Sequence, residues 1–195
     1  LTGIMTGSCN VITLNINRIV QDWFNFVNHL YYGNVGKNLV PNGIFNKDCS
    51  LSNYLIGILK RVYKYHIAYK TILYDWEDAG MFTCCNAGYI HIKKLYSTIG
   101  INGLNEAAEF LGLKVNNNKD YIEFLQLILS TIKEQNALHS INDKKRPFLF
   151  NSEVVPAESL ASKNYNWDKK DKYKVPSNRN LYNSYFYNAH DNTSV

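Results

Sequence analysis

The chain has 195 residues and a formal net charge of +5, from 21 Lys and Arg against 16 Asp and Glu. A hydrophobic fraction of 46% with 19% charged residues excludes a disordered chain and can supply a real core. No apolar run approaches the roughly 18 residues of a membrane span, and the mild charge does not fit a dedicated nucleic-acid surface.

Residues 11–16 (V-I-T-L-N-I) are rich in β-branched side chains and predict a strand. From Asn17 to Tyr32, apolar residues recur at Ile19, Val20, Trp23, Phe24, Val27, Leu30 and Tyr31, which is helical spacing. Residues 33–43 form a breaker-rich loop. Residues 51–73 predict a long helix with Leu55, Ile58, Leu59, Val62 and Tyr63 on one face. Residues 89–92 predict a short strand. Residues 97–103 (S-T-I-G-I-N-G) have an apolar strand core and run into helix formers at 104–111. Residues 119–138 predict a helix with Ile122, Leu125, Leu129 and Ile132 on one side. Residues 148–155 predict a strand, after which Pro156 opens a helix at the position where no N–H is needed. Residues 167–176 read as a charged loop and 182–187 as a last strand. This alternation implies an α/β fold of one domain, with parallel strands joined by helical crossovers.

The four cysteines, Cys9, Cys49, Cys84 and Cys85, form no C-x-x-C pair. They fit a reducing, cytoplasmic setting better than a disulfide scaffold. The basic clusters at 143–146 and 169–172 are interrupted by acids and read as solvated loops. The first ten residues are a Gly/Thr/Ser stretch with neither part of a signal peptide. The chain is therefore expected to begin inside a longer one.

Ligands of α/β folds sit beyond the carboxyl ends of the strands, and three segments put polar residues there. Asn15 must satisfy an amide, by a structural hydrogen bond or by a ligand; composition favours the first. Gly100 and Gly103 permit close backbone approach or positive φ, and Glu106 follows in the first helical turn, where a capping acid is the plain alternative. The N–H groups of Ala157, Glu158 and Ser159 would form a phosphate site, with an ordinary helix start weighted equally. The five histidines show no metal-ligand spacing, so no metal site is assigned.

Together these segments resemble the anaerobic (class III) ribonucleoside-triphosphate reductases. The matching stretches are T-G-S-C-N-V-I-T-L-N-I-N-R-I at 6–19, Y-S-T-I-G-I-N-G-L-N-E-A at 96–107, F-N-S-E-V-V-P-A-E-S-L at 150–160 and L-Y-N-S-Y-F at 181–186. The resemblance implies part of a ten-stranded α/β barrel of the glycyl radical enzyme type, in which a thiyl radical replaces the ribose 2′-hydroxyl by hydrogen. By position, it implies that Asn15 orients substrate or formate and that Glu106 assists loss of the 2′-hydroxyl. It likewise implies that Pro156, Ala157, Glu158 and Ser159 hold the substrate phosphates and that Ser97 and Thr98 line the pocket.

Residues 1–195 are then expected to be the C-terminal portion of the barrel, lacking the finger-loop cysteine and the glycyl-radical segment, and inactive alone. Cys9 is not expected to be the radical cysteine. The implied reductant is formate or a thiol. Zinc and ATP or dATP effectors belong only to the complete protein. The implied partners are a ribonucleoside triphosphate, a radical-SAM activase and a second copy in a homodimer, with no nucleic acid and no membrane. Alternatives are another glycyl radical enzyme, such as a formate-lyase relative, or a non-catalytic nucleotide-binding or complementing fragment.

Overall fold

A computed structural model describes residues 7–32, 50–154, 158–183 and 185, without the side chains of 30–32 and 158. The elements are β1 (Ser8–Asn15), α1 (Ile16–Tyr32), α2 (Leu51–Asp78), α3 (Thr83–Asn86), a 3-10 turn (Ile92–Lys94), β2 (Tyr96–Asn102), α4 (Leu104–Phe110), α5 (Lys119–His139), β3 (Leu149–Val154) and α6 (Glu158–Lys170).

The strands form one sheet in the order β1-β2-β3. At its start the Tyr96 N–H bonds the Gly7 carbonyl at 2.8 Å. At its end a Cβ on Gly103 would lie 3.5 Å from Asn15 Oδ1. β1 and β2 therefore run the same way, as expected for a parallel sheet with helical crossovers. The middle strand β2 is buried at every position after Tyr96, the pattern of a strand covered on both faces. Three strands are present among the described residues, and the ten-stranded barrel is not. Closing a barrel takes more strands than these elements supply.

The helices bury stripes at the expected period. In α1 these are Ile16, Ile19, Val20 and Trp23. In α2 the stripe runs Leu51, Leu55, Leu59, Val62, Tyr63, His66, Lys70, Leu73 and Tyr74. Helical spacing thus turns two ionisable side chains inward along with the apolar ones. The buried face of α5 is centred on Tyr121, Phe124, Leu125, Ile128 and Ile132. Ile122 and Leu129, expected on that face, are half-buried at its edge.

The chain divides into two compact units, each built from three stretches: 1–12, 56–100 and 132–153 in one, 13–55, 101–131 and 154–195 in the other. In the first, Leu73, Tyr74, Cys85 and Ile92 form a cluster with Phe148, whose ring meets Tyr74 edge-on at 5.8 Å. In the second, α1 packs on α4, with Phe24 and Phe110 edge-to-face at 5.3 Å, and Ala161, Tyr165 and Tyr182 cluster with Val175.

Several expectations are corrected. Residues 89–92 are not a strand: a bend leads into the 3-10 turn, and the Ile92 N–H goes to Glu77 Oε1 at 3.3 Å in place of a ladder partner. The charged loop expected from Trp167 starts later, because α6 continues to Lys170. Tyr182, Asn183 and Tyr185 are irregular, and the rest of the expected last strand lies outside the described residues. No helix among the described residues is long and apolar enough to cross a membrane.

Candidate active site

Asn15 ends β1, and α1 begins at the next residue. Its Oδ1 accepts the Arg18 N–H at 3.2 Å, so Asn15 caps the helix through the third helical N–H. Its Nδ2 donates to both carboxylate oxygens of Asp168, each at 3.0 Å. Asp168 is fully buried on α6. It also accepts from Arg18 Nε at 2.7 Å, Asn17 Nδ2 at 3.3 Å and the Tyr182 hydroxyl at 2.6 Å. A buried carboxylate persists only with such a set of donors. Burial and the hydrogen bond to Asp168 push the Tyr182 phenol far above its ordinary pKa, so it acts as a fixed donor. Asn17 and Gln21 on α1 both donate to the Lys174 carbonyl, at 3.1 and 2.8 Å, and Gln21 Oε1 accepts the Lys174 N–H at 2.9 Å.

Glu106 lies in the first turn of α4, which starts after Gly103 at φ +81. A Cβ there would meet Tyr182 at 3.3 Å and the Asn17 nitrogen at 3.4 Å, so both the backbone angle and the space call for glycine. A capping glutamate would take the Gly103 N–H; that N–H bonds the Asn183 carbonyl at 3.4 Å instead. Glu106 Oε1 accepts the Asn183 N–H at 2.9 Å and two Arg179 nitrogens at 3.1 and 2.7 Å. Glu106 Oε2 is buried with no partner among the described residues. Burial raises the Glu106 pKa, opposed chiefly by Arg179 and then by the Asn183 N–H. Glu106 also lines an open cavity of about 430 Å³ with Glu109, Phe110, Lys174 and Asn178. That volume suits a small organic ligand.

Ser97 and Thr98 are buried in β2, in the other unit. Thr98 Oγ1 donates to Asn151 Oδ1 at 2.6 Å and lies 2.6 Å from Ser8 Oγ. Ser97 Oγ is 3.7 Å from Cys9 Sγ. Both hydroxyls are thus engaged by neighbouring strands. In the same unit His66 is buried, and burial, only partly offset by a backbone interaction with Thr98, lowers its pKa to about 4. Ser159 is exposed in the first turn of α6. Pro156 and Ala157, and the Glu158 side chain, lie outside the described residues. No group of three or more His, Cys, Asp or Glu able to hold a metal occurs among the described residues.

The structure therefore joins Asn15 to Asp168, Arg18, Asn17 and Tyr182, and Glu106 to Arg179. Sequence reasoning found the first member of each set and missed the partners. Asp168 had a signal: with Ala161, Asn164 and Tyr165 it continues the buried stripe of α6. Arg179, in an irregular polar stretch, had none.

A family model of anaerobic ribonucleoside-triphosphate reductase matches residues 2–195. No curated protein matches the chain. Among solved structures, it is similar to the anaerobic ribonucleotide reductase of Thermotoga maritima with glycerol in the active site, at 22% identity and a TM-score of 0.72 over 96% of this chain and 28% of that one. It is similar to the same organism's enzyme in complex with dATP and CTP, at 21% identity and a TM-score of 0.70 over 97% and 29%. These likenesses establish the fold, and the chain spans less than a third of the length of those structures.

Proposed function

Because the chain belongs to the anaerobic ribonucleoside-triphosphate reductase family, we propose that it forms part of the catalytic subunit that reduces ribonucleoside triphosphates to deoxyribonucleoside triphosphates. The reaction proceeds by glycyl and thiyl radical chemistry on elements other than those described above. The radical supplies abstraction of the ribose 3′ hydrogen, with formate or a thiol as the reductant. This chain's residues bind and orient the substrate and move protons. A radical-SAM activase and a second copy of the protein are the proposed partners, and zinc and nucleotide effectors belong to the complete enzyme. The family match does not favour a formate-lyase relative or a non-catalytic fragment.

The observation that carries the reading is Glu106. Glu106 is a buried carboxyl of a residue that lines an open cavity, and by the resemblance we assign it the role of assisting loss of the 2′-hydroxyl. Burial raises its pKa above the ordinary carboxylate value, against the opposing pull of Arg179. Asn15 orients the substrate or formate from the end of β1. The resemblance also assigns a substrate-contact role to Ser97 and Thr98. The resemblance assigns the substrate phosphates to Pro156, Ala157, Glu158 and Ser159; phosphates favour the free N–H groups at the start of a helix.

The test is Glu106→Gln in the activated reductase. Deoxyribonucleotide formation is expected to fall by about a hundredfold or more, the usual worth of a general acid, with triphosphate binding retained. Full activity in this variant removes Glu106 from the reaction.

A further inference from the structure

In the first unit, α2 carries a second apolar row beside its buried stripe, and this one points to solvent. Tyr65 is 69% exposed, Tyr69 45%, Ile72 47% and Trp76 47%. Their spacing of four, three and four residues sets them on one line along the helix, about 16 Å long. That spacing is the seam of a helix that pairs with another helix. A surface helix that only covered a core would carry polar side chains there. The row ends on Trp76, whose ring meets Phe82 edge-on at 6.1 Å. Contiguous exposed apolar rows of this kind mark interaction sites.

We propose that this row of α2 packs against the same row of a second copy of the protein, the two helices running antiparallel about a two-fold axis. This rests on the second copy already proposed as a partner, and gives that copy a face. A spacing of four, three and four reads the same in both directions. A reversed copy therefore sets Tyr65 across from Trp76 and Tyr69 across from Ile72, each pair twice. Such self-complementarity is what a two-fold contact between identical chains requires, and a different protein would not call for it. The flank of the row agrees. In that register Arg61 of each helix comes beside Asp75 of the other, and Ala68 meets its own counterpart. Arg61 and Asp75 are both exposed. Asp75 also holds Arg146 Nη1 at 2.8 Å, and with its side chain 59% exposed it has room for a second cation. Ala68 is exposed and small, so it lets the two helices approach. A parallel pairing would leave Arg61 and Asp75 about 21 Å apart along the axis. Opposite charges flanking a helix seam choose the orientation of the pair.

The experiment is sedimentation equilibrium of the full-length protein and its variants, each checked for folding by its urea midpoint. The unaltered protein is expected to be a dimer. Tyr69→Glu puts a charge into the row and is expected to weaken the dimer about tenfold or more. Arg61→Asp and Asp75→Arg each bring like charges together, and each should weaken it about threefold to tenfold. The variant carrying both changes restores opposite charges and should return to the parent's affinity. Single losses that the double variant does not recover overturn the proposed pairing. A dimer unchanged by Tyr69→Glu and by the charge variants overturns this face while leaving the second copy as a partner. If Tyr69→Glu does not fold, the charge variants decide alone. A monomeric parent gives the row to a different protein and overturns both the face and the second copy. None of these readouts depends on turnover, so their failure is distinct from failure of the reductase reading.

Discussion

The amide nitrogen of Asn15 lies 3.0 Å from each carboxylate oxygen of Asp168. The contact ties the end of β1 to α6 across 153 residues of sequence. It leaves Asn15 in one orientation, with its oxygen on the Arg18 N–H and its nitrogen on a buried anion. Replacing Asp168 by Ala removes that anion and strands the Asn15 amide and the Tyr182 O–H, while Asn17 keeps its bond to the Lys174 carbonyl. The expected loss of stability is about 2–3 kcal/mol, read from the urea midpoint. A loss below about 0.5 kcal/mol would mean the donors re-pair or are hydrated.

Asn15→Ala separates structure from catalysis. It removes the helix cap, worth about 1 kcal/mol, and frees part of the Asp168 carboxylate. The fold should survive that loss, with a modestly lower Tm. Ribonucleotide reduction by the activated enzyme should be abolished. Normal turnover with the lowered Tm would show that the capping role is the whole role.

Gly103→Ala tests the turn that delivers Glu106. The φ of +81 costs a residue with a Cβ about 1–2 kcal/mol. Added to this is crowding against Tyr182 and the Asn17 nitrogen. Denaturant unfolding should show at least the backbone cost. A stability equal to the parent would contradict this geometry.

His66 predicts a pH dependence of stability. Its folded pKa of about 4 lies below the usual 6.5 because burial disfavours the charged ring. Between those values the unfolded state binds the extra proton, so stability falls as pH drops from 6.5 towards 4. Above 6.5 the group is neutral in both states and has no effect. His66→Leu should flatten this part of the curve relative to the parent, measured by urea unfolding at pH 7.5, 6 and 5. Parallel curves would mean that His66 is not held neutral.

Ala157→Pro removes one N–H from the proposed phosphate-binding turn. If that turn holds the substrate phosphates, the loss of a bond to a charged group should weaken triphosphate binding about tenfold or more. Nucleoside binding should change little. Lower stability at unchanged triphosphate affinity would make the turn an ordinary helix start.

The helices were largely legible because their periodicity is local. α1, α2, α4 and α5 begin within a residue of where apolar spacing puts them. The short run at 89–92 misled because its β-branched and aromatic content says nothing about whether a neighbouring strand is present. In the site, Asn15 and Glu106 were visible as polar residues at the ends of strand patterns. Their electrostatic partners were not, since Asp168 reads as one more acid in a charged stretch and Arg179 as one more surface cation.

The sequence by itself determined the alternation of strands and helices and the ordered motifs that mark the family. It also led to the expectation that 195 residues are too few for the barrel those motifs imply; the described residues hold one three-stranded sheet. Only the tertiary structure decided which charges are buried and what meets them. Burial of Asp168 among donors from α1 and Tyr182, and the one-sided hold of Arg179 on Glu106, join residues many positions apart. Local pattern carries no record of such pairings, because their energy exists only once distant segments have excluded water from between them.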